Sequence, residues 1–162
     1  RNRLLLHVVD LAPWDEQTPA ESSVIVRDEL GKFSATLAEQ PRWLVLNKID
    51  MVPEEEREER CQSVIDALEW DGPVYRISAL AKEGLEPLLM DIQNYLDQRA
   101  EAIAADPELL DAENAQRDQI SAEARDHIER LREQARARRS GDDLDDDDFD
   151  EDDYDVEVEY VK

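Results

Sequence analysis

Glycine is scarce in this chain, with four residues in 162. Nucleoside phosphates are gripped by glycine-rich loops whose N–H groups converge on the phosphates, with a Lys and a hydroxyl for phosphate and Mg²⁺. No G-x-x-x-x-G-K-[ST] pattern occurs, and so few glycines leave no room for a disguised one. Nor does an Asp-x-x-Gly stand ahead of a helix where it would hold Mg²⁺. The single Cys61 excludes an internal disulfide and any cysteine cluster, which fits a reducing cytoplasm. There is no long apolar run and no signal-peptide pattern, so neither membrane insertion nor secretion is expected. Basic residues are few as well, 19 against 43 acidic, for a formal net charge of -24. Residues 141–162 hold 13 acidic residues and one basic, so half of that charge sits in the last 22 residues.

What remains is enough for one modest domain and an appendage: 41% of the residues are apolar. The informative stretch is Arg42 to Asp50. Trp43 to Leu46 is a short apolar run after Pro41, which reads as a buried strand, and it ends abruptly in Asn47, Lys48 and Asp50. In open α/β sheets, ligands bind just beyond the carboxyl ends of strands. The polar trio suits guanine. Its edge offers two adjacent N–H donors that one carboxylate, Asp50, accepts in a parallel fork. Adenine has a lone pair at the corresponding ring nitrogen, and a site left with such an unpaired group rejects the ligand by about 10⁴. Lys48 can lay its stem across the base while its ammonium stays wet. Asn47 has both donor and acceptor, so it can meet the base edge and tie its loop to a neighbouring one, and Ile49 is expected to turn inward.

A polar turn after a strand is the plain alternative. At average composition three fixed residue types recur about once in 10⁴ windows, so a chance match in this chain has a probability of roughly a per cent or two. A second stretch adds weight. Val74 to Ile77 reads as another strand, ending in Ser78-Ala79-Leu80. There the Ser78 hydroxyl can orient Asp50, and the Ala79 N–H can donate to guanine O6.

Asn47-Lys48-Ile49-Asp50 and Ser78-Ala79-Leu80 resemble the fourth and fifth guanine-binding motifs of the P-loop GTPases. Together with Leu4-Leu5-Leu6-His7-Val8-Val9-Asp10-Leu11-Ala12-Pro13 and Pro41-Arg42-Trp43-Leu44-Val45-Leu46, the motifs make residues 1–103 similar to the Obg family of bacterial ribosome-associated GTPases. The resemblance implies binding of GTP and GDP, slow Mg²⁺-dependent hydrolysis of GTP, and a cytoplasmic role in large-subunit ribosome assembly and stress control. Its partners would be rRNA and ribosomal proteins. Leu80 departs from the Lys that many relatives place against the base. The family's phosphate and Mg²⁺ motifs lie N-terminal to the part matched, so the chain reads as the C-terminal portion of a larger GTPase. Its Mg²⁺ ligands are expected upstream of Arg1. The fragment itself is expected to be monomeric and to hydrolyse nothing.

The fold class expected is therefore α/β: the C-terminal half of a P-loop GTPase parallel sheet, in three strand-helix units, followed by a long helix and a disordered acidic tail. Leu4 to Val9 reads as a strand buried on both faces. His7 within it reads as a core or rim histidine, and Asp10 as a turn carboxylate or a residue facing the pocket. Thr18-Pro19-Ala20-Glu21 has the spacing of a capping box, opening a helix with Ala20, Val24, Leu30, Phe33 and Leu37 inward. A second helix opens at Glu54 to Glu56 and buries Cys61, Val64, Ile65 and Leu68. The third, from Leu85 to Arg99, is expected to bury Leu85, Leu88, Leu89, Ile92, Tyr95 and Leu96. Three strands form half a sheet, so residues 1–103 alone should be marginally stable.

From Asp106 a charged helix is expected over 104–140, with a thin stripe of Leu109, Ile120, Ala124, Ile128, Leu131 and Ala135. Arg136, Arg138 and Arg139 near its end complement the helix C-terminus or contact RNA. Residues 141–162 are too acidic and too poor in apolar side chains to fold alone, and they lack the Gly and closing Glu of an EF-hand. Phe149, Tyr154 and Tyr160 are candidate anchors there. A second class of function fits the same features: a non-enzymatic acidic module for basic ribosomal or RNA-associated partners.

Overall fold

A computed structural model describes residues 3–14 and 17–142 of the chain. In chain order it comprises β1 (Leu5–Asp10), α1 (Pro19–Phe33), α2 (Ala35–Ala38), β2 (Arg42–Asn47), a 3-10 turn (Ile49–Met51), α3 (Glu54–Leu68), β3 (Val74–Arg76), α4 (Leu85–Ala105) and α5 (Glu108–Asp142). The residues divide into two units, one up to His127 and one from Ile128. In the second unit Ile128, Leu131 and Ala135 of the helix are exposed. The acidic tail beyond Asp142, with Phe149, Tyr154 and Tyr160, and the side chains of Arg138 and Arg139 lie outside the described residues.

Strand-helix alternation produces the expected mixed α/β sheet: three strands, all parallel, in the order β1-β2-β3. Side chains alternate across it. Val9, Leu44 and Leu46 join Leu11, Ile49, Val52, Cys61, Val64 and Leu68 in one apolar layer, with Ala20 and Val24 of α1 packed against it. Trp43 and Val45 point the other way, into a smaller layer with Ile77 and Leu88, flanked by Tyr75, Ile92 and Tyr95. The stripe expected for α3 is thus the buried one. His7 is buried too, edge-to-face on Trp70 with ring centroids 6.3 Å apart, so it is a core histidine.

Two expectations about burial fail together. β1 is covered on one face only: Leu6 and Val8 are 41% and 56% exposed. They pair with Trp43 and Val45, on the α4 side of the sheet, yet among the described residues the apolar cluster that α4 joins takes in Leu4, Trp43, Val45, Tyr75 and Ile77 and neither of these two. For the same reason α4 has a narrower buried stripe than its sequence suggests, and Leu89 and Leu96 are exposed. Covering two short strands takes only Leu85, Leu88, Ile92 and Tyr95.

Local signals at the helix ends hold. Thr18 and Glu21 form a reciprocal capping box with Pro19 in the first turn. The first helix stops earlier than its apolar spacing implies. Ser34 adopts an extended conformation and caps the short α2 through its hydroxyl, which accepts from the Leu37 N–H at 2.9 Å. The Ser34 hydroxyl in turn donates to Glu123 of α5 at 2.6 Å. Thr36 donates to the same carboxylate through its hydroxyl (2.6 Å) and its N–H (3.1 Å). Glu113 of α5 is held by Arg3 (2.9 Å) and Arg99 (2.7 Å). The charged helix is therefore attached by two carboxylates as much as by its half-buried Leu109, Ile120 and Ala124.

Candidate functional site

Parallel pairing brings the carboxyl ends of the three strands side by side. Asp10 lies opposite Asn47, and Leu46 opposite Arg76. Backbone bonds continue the ladder into the loops: Leu11 N–H to Asn47 O (3.0 Å), Ile77 N–H to Leu46 O (2.8 Å) and Ile49 N–H to Ile77 O (3.1 Å). Residues some thirty positions apart in sequence thus share one rigid edge, where open α/β sheets bind ligands.

Asn47 ends β2, and its Oδ1 accepts from the Ala79 N–H at 3.0 Å, so it ties the two loops together as expected. Lys48 adopts a left-handed conformation (φ 65°, ψ 34°), a costly state for a non-glycine residue that turns the chain sharply into the 3-10 turn. Its ammonium lies 2.6 Å from Asp10 Oδ2, with both side chains about one-third exposed. Ile49 turns inward and is 5% exposed. Asp50 follows on the turn, exposed, and its carboxylate has no hydrogen-bond or ion-pair partner among the described residues.

The second loop departs from expectation in two respects. Ser78 is fully buried, but its hydroxyl oxygen accepts from the Ala81 N–H at 2.9 Å. No hydrogen bond joins it to Asp50 among the described residues; it shapes its own turn instead. The Ala79 N–H, expected to be free for guanine O6, is already donated to Asn47. Ala79 is exposed, and so is Leu80, by 87%. The loop closes through paired backbone bonds between Ser78 and Glu83 (3.0 and 3.1 Å). It exits through Gly84 at φ 69°, where a Cβ would collide with the Arg76 carbonyl, so only glycine fits. Gly84 was missed in the sequence, although a lone glycine directly before an apolar helix is a usable signal. The Asp10–Lys48 pair was missed for want of any local signal, since it depends on strand register.

The chain's one Asp-x-x-Gly spelling, Asp28 to Gly31, lies within α1 rather than ahead of a helix. Among the described residues no group of three or more His, Cys, Asp or Glu is arranged to hold a metal ion. At His7, burial first, then Arg42 and Arg27, hold the pKa below the ordinary value, and Nε2 is enclosed with no hydrogen-bond partner among the described residues. No family model matches the chain.

Proposed function

We propose that this chain is the guanine-recognising part of an Obg-like GTPase. The observation that carries the reading is Asp50: an exposed carboxylate without a partner, on a turn fixed by Lys48 and by the Asn47–Ala79 bond. A carboxylate so placed accepts the ring N–H and the exocyclic amino group of guanine together, and meets a lone pair in adenine. Lys48 supplies a stem against the base plane, and Leu80 an uncovered apolar side chain on the neighbouring loop. Ala79 enters only where the base oxygen replaces Asn47 Oδ1 on its N–H.

The reading extends to a whole GTPase, in which the glycine-rich loop and the Mg²⁺ ligands belong to a phosphate-binding half that this chain does not carry. GTP hydrolysis, large-subunit ribosome assembly and a cytoplasmic setting belong to that whole protein. This chain contributes the choice of base and no hydrolytic group. Asp50→Asn tests the reading, because an amide donates where the carboxylate accepted and so pairs with the carbonyl that xanthine carries in place of the amino group. Loss of a charged hydrogen bond should weaken guanosine about tenfold or more and turn the preference toward xanthosine. Guanine selectivity that survives the substitution overturns the proposal. Should the chain bind no guanosine at all, the acidic interaction module becomes the better reading, with deletion of residues 141–162 as its own test.

A further inference from the structure

Building on the guanine reading, we infer that Asp10 is a positioning residue of the base site, holding Lys48 so that its aliphatic stem forms the surface on which the base lies. The two oxygens of Asp10 are used differently. Oδ1 accepts from the Ala12 N–H at 2.9 Å, which fixes the carboxylate on its own loop. Oδ2 faces the adjacent strand end and meets the Lys48 ammonium at 2.6 Å. Strand register dictates this encounter, because Asp10 stands opposite Asn47 and the chain turns left-handed at the very next residue.

Lys48 is thereby held at both ends. Its backbone is set by the sharp turn and by the Ile49 N–H bond to Ile77 O, and its ammonium by Asp10. The methylenes between must bridge from the end of β2 toward the end of β1. A free lysine samples many rotamers and presents no constant surface, whereas a lysine held at both ends is ordered before the base arrives, so less freedom is lost on binding. The carboxylate also neutralises the ammonium, leaving the methylenes as the contact.

A turn-forming role alone does not account for the pair. The Ala12 bond occupies one oxygen, and an asparagine at position 10 would satisfy it equally well. An ion pair this exposed adds little to folding. Its effect falls on the surface offered to the ligand. Because Asp50 reads the base edge, Asp10 should affect how tightly a base is held and leave the choice of base unchanged.

The test titrates guanosine and xanthosine into the full 162-residue chain by NMR, for wild type, Asp10→Asn, Lys48→Met and the double variant. Asp10→Asn should weaken guanosine about threefold, the scale of one exposed ion pair, with the guanosine-to-xanthosine ratio and the melting temperature unchanged. Lys48→Met keeps an unbranched stem but loses the ammonium, and should weaken guanosine similarly. Adding Asp10→Asn to it should change nothing more. Wild-type affinity in Asp10→Asn, or an equal loss from Asp10→Asn in both backgrounds, overturns the role of Asp10 while the guanine reading stands. A wild type that ignores guanosine, or an Asp50→Asn variant with unaltered selectivity, removes the guanine reading and this inference with it.

Discussion

β1 and β2 are six-residue strands of similar apolar content in one sheet, yet they are held by different forces. β2 buries four of its six residues, Trp43 to Leu46, between two apolar layers. β1 buries only His7 and Val9. Beside it α1 still packs Ala20 and Val24 on the apolar layer, but Arg3, α2 and α5 are fastened by polar contacts at Glu113 and Glu123. Apolar sequence alone does not make a strand central. Neighbours do, and among the described residues β1 has a strand on one side only.

The sharpest way to expose this contrast is to remove side-chain volume from β2. Leu44→Ala should cost about 3 kcal/mol, a large share of the stability of a unit this size, and urea titration should show little folded protein remaining. A loss below about 1 kcal/mol would mean that β2 is no better packed than β1.

Acid should divide the two regions next. Burial, with Arg42 and Arg27 nearby, lowers the pKa of His7 beneath its ordinary 6.5. Folding thus favours the neutral ring, and that contribution is present above pH 6.5 and lost as pH falls. Hydrogen bonds from the Ser34 hydroxyl, then from Thr36, lower Glu123 from 4.5 to about 2. Its contribution is complete above pH 4.5 and disappears as pH falls toward about 2. Amides of α2 and of α5 around Glu123 should therefore exchange with solvent before those of β2 as pH is lowered from 7 to 3. Simultaneous exchange would show one cooperative body instead of a core with a polar flank.

The smallest effect belongs to β1 itself. Val8→Ala, at a side chain 56% exposed, should change stability by less than about 0.5 kcal/mol in the same titration. A cost near that of Leu44→Ala would show that something covers this face in solution.

Much of the fold was legible because its signals are local. Thr18, Pro19 and Glu21 specify a helix start within four residues, and the spacing of Cys61, Val64 and Leu68 marks one buried face. That Asn47 ties its loop to a neighbouring one was legible, because it ends a strand that pairs with β3; that the donor is the Ala79 N–H was not. What escaped depends on distant partners. Nothing near Leu6 announces that α4 stops short of it, and nothing near Ser34 or Thr36 announces a carboxylate nearly ninety residues later. Ser78, which the sequence offers to Asp50, accepts instead from the Ala81 N–H, three residues away. A tight turn usually satisfies its own hydroxyl first.

The bond from Ala79 to Asn47 Oδ1 also bears on how the chain finds its fold. If β2 slipped by one residue against β3, Asn47 would swing to the opposite face of the sheet and its amide oxygen would lose sight of Ala79. This residue of the candidate site is then also a lock on strand alignment, and a substitution there would raise the fraction of misaligned molecules as well as alter binding. Recognition and faithful folding would be inherited through the same side chain.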